Sequence, residues 1–152
     1  MTPYSSCDNN GQGGHNEGMT DATRLRGHTI VAFVPIVSLA KARTFYCDTL
    51  GLPFVRDEAP FALVFDANGI MLRLTLIGEL SPAPWTVLGW EVANIKNAVR
   101  ELASAGVRFE RYEQMTQDEH GIWTSPSGAM VAWFKDPDGN VLSISEHPET
   151  IR

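Results

Sequence analysis

Arg73, Glu91 and His120 carry the side chains best suited to act on a small molecule in this 152-residue chain. A guanidinium grips a carboxylate or enolate through two parallel N–H···O bonds. A nearby carboxylate such as Glu91 serves either as its ion-pair partner or, where burial raises its pKa, as a general base. His120 follows Asp118 and Glu119, and an imidazole there suits an acid or base on a closing loop. Ser143 and Ser145, in "VLSISE", offer hydroxyls to a ligand. The plainer reading of the same residues is a structural Arg73–Glu91 pair, or an Arg73 that reaches solvent, with serines that merely make space on a crowded face. His28, His120 and His147, even with Glu119 or Glu146, match no standard metal-ligand spacing. Neither a Gly-rich phosphate loop nor a nucleophile elbow is present, and Cys47 has no histidine near it in sequence.

These residues need elements to position them. "TIVAFVPIV" from Thr29 reads as a strand, with Pro35 favouring an edge. Ser38 caps a helix predicted over 39–50, with Leu39, Ala42, Phe45, Tyr46 and Leu50 at helical spacing and Gly51 as the stop. "PFVRDE", "FALVFDA" and "IMLRLTLI" read as strands, the last two joined by Asn68-Gly69, a strong hairpin signal. After the Gly/Pro-rich "GELSPAP" the order recurs. "WTVLGWEV" is a strand, Asn94 caps a helix predicted over 95–105, and "VRFERY", "AMVAWFK" and "VLSISEH" follow as strands, the last two joined by Asp-Pro-Asp-Gly.

This is a βαβββ unit written twice, over about 29–78 and 85–147. Val31 and Val87 stand as far apart as the caps Ser38 and Asn94, whereas Gly69 and Gly139 stand further apart. The second copy is therefore longer, and the excess falls in "EQMTQDEHGIWTSPSG". Insertions into a repeated scaffold fall on loops, where function is commonly grafted. Trp123 in this loop marks it as a lid, against the blander reading of a solvated surface loop. Strand alternation separates the faces. Leu72, Leu74, Leu142 and Ile144 belong under the helices, while Phe33, Arg73, Val87, Glu91, Ser143 and Ser145 belong on a concave face, with Trp123 and His120 over its mouth.

Composition limits the function. A formal net charge of −6 leaves no basic stripe for nucleic acid. "IVAFVPIV", the longest apolar run, is strand-sized and cannot span a bilayer. Cys7 and Cys47 form no disulfide framework, which suits a reducing cytoplasm. Residues 1–26, rich in Gly and Asn and without an apolar stretch, read as a flexible extension to a single domain over 27–152.

The two βαβββ units, "FYCDTLGL" in the first helix and the closing "DPDGN" hairpin resemble the vicinal oxygen chelate superfamily of glyoxalase I, bleomycin-resistance proteins and extradiol dioxygenases. The resemblance covers roughly residues 28–147. It implies an α+β fold in which two tandem βαβββ modules form a curved eight-stranded mixed sheet with helices on the outer face. In metal-dependent members, two histidines and two glutamates on the first, fourth, fifth and eighth strands hold the metal. The matching positions here are Val31, Arg73, Val87 and Ser143, which implies a member without the usual metal and with no cofactor. Such a member is expected to be a homodimer that binds a small ligand, anionic where Arg73 engages it, in the concave sheet. The alternative is a glyoxalase- or dioxygenase-like enzyme using a non-standard site built on Glu91 and His120.

Overall fold

The computed structural model describes residues 24–149; the extension predicted over 1–26 lies almost wholly outside them. The first module contains β1 (Val31–Ile36), α1 (Leu39–Arg43), β2 (Phe54–Glu58), β3 (Ala62–Ala67) and β4 (Ile70–Leu76). The second contains β5 (Thr86–Glu91), α2 (Ile95–Ser104), β6 (Trp123–Thr124), β7 (Met130–Lys135) and β8 (Val141–Glu146). Hydrogen bonding divides the eight strands into two four-stranded sheets, β1-β4-β3-β2 and β5-β8-β7-β6. In each, the first and last strands of the module run parallel and the other pairs antiparallel. This is the tandem βαβββ arrangement, with β1 and β5 meeting where the modules join.

Local chemistry accounts for the boundaries. The extended Ser38 accepts the Lys41 N–H through its hydroxyl, and Asn94 accepts the Asn97 N–H through its side-chain oxygen. Each cap thereby satisfies a donor that a helix start leaves open. Asn68 and Gly69 both take positive φ, 54° and 86°, the backbone that a two-residue hairpin demands. Pro35 lies in β1, an edge strand, where its missing N–H disrupts no interior ladder. The first helix departs from its predicted form: beyond Arg43 it widens into a π-helical segment over Thr44–Thr49. "VRFERY" also departs. Its backbone pairs with β7 at a Phe109–Phe134 bridge and through the Glu110 N–H to Trp133 O bond, without forming a strand. The insertion that follows carries the chain away and returns it as the short β6, which takes the edge.

Leu72 and Leu74 from one sheet and Leu142 and Ile144 from the other are buried in one apolar core with Ala42, Tyr46, Ile95 and Val99 of the helical segments. The Asp136–Asn140 turn fastens the modules together. The Tyr46 hydroxyl donates to Asp136 Oδ2 at 2.8 Å, and both groups are buried. Asn140 Nδ2 donates to Pro35 O and to Asp136 Oδ2, both at 2.8 Å, and the Val37 N–H donates to Asp138 Oδ2 at 3.0 Å. Burial, reinforced by the Asp136 carboxylate, pushes the Tyr46 phenol far above its usual pKa. The turn is thus determined by docking as well as by its own hairpin.

Candidate functional site

On the first sheet one residue from each strand forms a row. Phe33 sits opposite Arg73, Arg73 opposite Val64, and Val64 opposite Arg56. The face away from the core therefore presents two guanidinia. Both engage Glu58: Arg73 Nη1 contacts Oε2, and Arg56 Nε lies 2.7 Å from Oε1. Hydrogen bonds from Arg56 first, then Arg73, hold the Glu58 carboxyl below the usual carboxylate range. One carboxylate shared by two guanidinia leaves the cluster with a net positive charge. Beside it lie the exposed apolar side chains of Val31, Phe33 and Met71, with Phe33 exposed by 63%.

The second sheet has rows of its own. Gly89 pairs with Ser143, which pairs with Trp133. A Cβ on Gly89 would stand 2.7 Å from Ser143 Oγ, so the glycine leaves room for the hydroxyl, and Ser143 is buried. In the next row Glu91 pairs with Ser145, Ser145 with Val131, and Val131 with Trp123. Glu91 accepts from Ser145 Oγ at 3.2 Å and from the His147 N–H at 2.9 Å, and the His147 ring nitrogen Nδ1 lies 2.5 Å from its Oε2.

Several expectations need correction. Arg73 and Glu91 do not pair: each finds its partner in its own module, Glu58 for the first and His147 with Ser145 for the second. Val87 leaves the concave row. A register shift between Thr86 and Leu88 breaks the alternation, so Val87 packs against the core and the Thr86 hydroxyl accepts from Trp133 Nε1 at 3.1 Å. Trp123 belongs to β6 within the sheet and not to a hinged lid, its ring 6.1 Å from that of Trp133. The insertion itself is braced. Gln117 Nε2 donates to Glu110 O and Gly121 O, and Gln117 Oε1 accepts from the Tyr112 N–H. Arg111 donates to the carbonyls of Asp118 and Glu119. His120 sits on the outer turn of this loop, half-exposed, with Glu119 3.4 Å away.

Alternation did place Phe33, Arg73, Glu91, Ser143 and Ser145 away from the core. Sequence reasoning passed over Arg56, Glu58, Thr86, Tyr112 and Trp133. The signal for Trp133 was present in "MVAWFK", where it alternates with the buried Ala132 and Phe134. Trp133 meets Tyr112 edge to face, with ring centroids 5.6 Å apart. With Trp85, Thr86, Gln114 and Met115 they line a cleft of about 350 Å³. Burial, then the nearby Glu110, raises the Tyr112 phenol pKa. A cavity of about 390 Å³ lies between residues 49–52 and α2, walled by the core-facing Trp90, Phe134 and Ile144. Of the concave rows only Glu91 borders it.

The positions matching the superfamily's metal ligands do not fit a divalent cation. Val31 and Val87 lack donors, Arg73 is a cation already paired with Glu58, and Ser143 is a lone packed hydroxyl. Among the described residues no group of three or more His, Cys, Asp or Glu side chains is placed to hold a metal.

Comparison with solved structures supports the fold. A glyoxalase/bleomycin resistance protein/dioxygenase from Alicyclobacillus acidocaldarius superposes with a TM-score of 0.60 at 21% identity, covering 81% of this chain and 93% of the other. A member of the same superfamily from Sphaerobacter thermophilus gives 0.60 at 24% identity, covering 79% and 98%. Lactoylglutathione lyase from Agrobacterium tumefaciens gives 0.58 at 17% identity, covering 78% and 94%. No curated protein matches the sequence significantly. The sequence profile of the Glyoxalase/Bleomycin resistance protein/Dioxygenase superfamily matches residues 27–144, and with two βαβββ modules built as described, the chain belongs to that superfamily.

Proposed function

We propose that this protein binds a small organic ligand on its concave sheet faces without a metal, and that Arg73 engages an anionic group of that ligand. The observation that carries this reading is the strand register. It sets Arg73, partly exposed, between the exposed Phe33 and the buried Val64 on the face away from the apolar core, at a position where metal-dependent relatives keep a glutamate. A guanidinium beside exposed apolar side chains suits a carboxylate or enolate with a hydrophobic body. The charge-assisted bonds are worth about 1.5–3 kcal/mol, so Arg73→Ala is expected to weaken binding roughly ten- to a hundredfold. Calorimetry with small carboxylates in the presence of a chelator tests this; unchanged affinity in Arg73→Ala overturns it. The protein is further proposed to act as a homodimer. β1 carries the exposed Val31 and Phe33, an apolar surface that favours being covered.

A second reading, a metal-independent enzyme, is favoured by one observation. Glu91 holds the His147 ring through Nδ1, an arrangement that orients an imidazole for proton transfer. Turnover of a bound carbonyl compound that is lost in both Glu91→Gln and His147→Gln, with melting unchanged, would establish it. Binding without turnover leaves the carrier reading.

A further inference from the structure

We infer that the cleft between Trp85, Tyr112 and Trp133 is a stacking site for a flat, uncharged aromatic group. This deepens the proposed binding function by naming the chemical class of the ligand's apolar part, and it rests on that reading. Each wall comes from a different segment: Trp85 from the approach to β5, Trp133 from β7, and Tyr112, which closes "VRFERY", with Gln114 and Met115 at the start of the insertion. The lining contains no charged residue, and the volume of about 350 Å³ lies in the range of small-ligand pockets.

The ring geometry selects an aromatic guest. Trp133 stands at 83° to Tyr112 and is tilted 39° against Trp123. The Trp133 N–H is already taken by Thr86, and that bond fixes the indole plane. Preset rings lose little freedom when a guest arrives, and edge-to-face neighbours suit a further π system. Trp85 is exposed by 67%, a large apolar surface left open beside these fixed rings. The insertion is built to hold Tyr112 in place: the Tyr112 N–H donates to Gln117 Oε1 at 2.8 Å, while Gln117 Nε2 ties down the Glu110 and Gly121 carbonyls. The extra length of the second module therefore builds one wall of this cleft.

The test compares neutral 2-naphthamide with its saturated, puckered decalin analogue and with tetramethylammonium, by calorimetry and tryptophan emission. Three of the chain's four tryptophans, Trp85, Trp123 and Trp133, report on the cleft. Naphthamide is expected to bind at least about tenfold more tightly than the decalin analogue and to change the emission. Trp85→Ala, and separately Tyr112→Leu, should each weaken it by about tenfold or more, the scale of a lost aromatic stack. Trp85 is mostly exposed, so its variant is expected to melt like the parent. Equal binding of the flat and puckered compounds, preferred binding of tetramethylammonium, or unchanged naphthamide affinity in Trp85→Ala overturns the inference. If a carboxylate loses affinity in Arg73→Ala while naphthamide fails to bind the parent protein, the stacking site alone falls. If naphthamide binding is lost in Trp85→Ala while Arg73→Ala leaves carboxylate affinity untouched, the Arg73 reading alone falls.

Discussion

At the scale of single residues, Glu58 decides how much of Arg73 a ligand can use. Its carboxylate receives both Arg56 and Arg73, so an incoming anion competes with it for the guanidinium. Replacing it by Gln removes the competing charge, and Glu58→Gln is expected to tighten carboxylate binding several-fold in calorimetry. The pH dependence follows from the same group. Its pKa is lowered in the folded protein, so the stabilisation it gives is present above the unfolded carboxylate value of about 4.3 and is lost as pH falls through the lower folded value. Between pH 5 and 8, on the scale of that reference value, the cluster keeps its charge. Carboxylate affinity measured across that window should therefore not follow a Glu58 titration. Alternation in "MLRLT" made the outward face of Arg73 legible from sequence. Its partner was not legible, because Glu58 reaches it across the sheet from β2, whose register shifts between Phe54 and Arg56.

At the scale of elements, the Asp136–Asn140 turn was legible as a hairpin, whereas its second task was not. That task depends on long-range contacts with Tyr46, Pro35 and Val37, which local turn chemistry does not encode. Tyr46→Phe removes a buried hydrogen bond to a carboxylate, and urea unfolding is expected to show a loss of about 1.5–3 kcal/mol. Because burial raises the phenol pKa in the fold, its contribution is complete below the unfolded value of about 10 and is lost as pH rises beyond it. Tyr46→Phe should accordingly blunt the fall in stability above that pH. The insertion was legible as an insertion, but its bracing by Gln117 and Arg111 was not, since side-chain-to-carbonyl bonds leave no periodic trace. Gln117→Ala is expected to speed amide exchange across 110–122 while leaving β3 and β4 protected. The Thr86–Leu88 register shift misled the placement of Val87 for a related reason: one irregular residue reverses the faces assigned by a period of two.

At the scale of the whole molecule, the duplicated βαβββ plan was legible because the same capping and turn signals recur at matched spacing in both halves. What the plan does not set is which chemistry its open faces carry. In this chain those faces carry an Arg–Glu–Arg cluster and two neighbouring indoles, Trp123 and Trp133, at and around the positions that match the superfamily's metal ligands. A paired state would cover the exposed Val31 and Phe33 of β1, and sedimentation equilibrium is expected to give twice the chain mass. Phe33→Asp, which places a carboxylate on the exposed β1 face, should shift that mass toward the monomer. The most direct test of metal-independent binding through Arg73 is titration calorimetry of 2-naphthoate into chelator-treated protein, beside Arg73→Ala of equal melting temperature. The expected result is saturable binding by the chelator-treated parent, weakened roughly ten- to a hundredfold in the variant. Binding that appears only after a divalent metal is restored, or equal affinity in the two proteins, would contradict it.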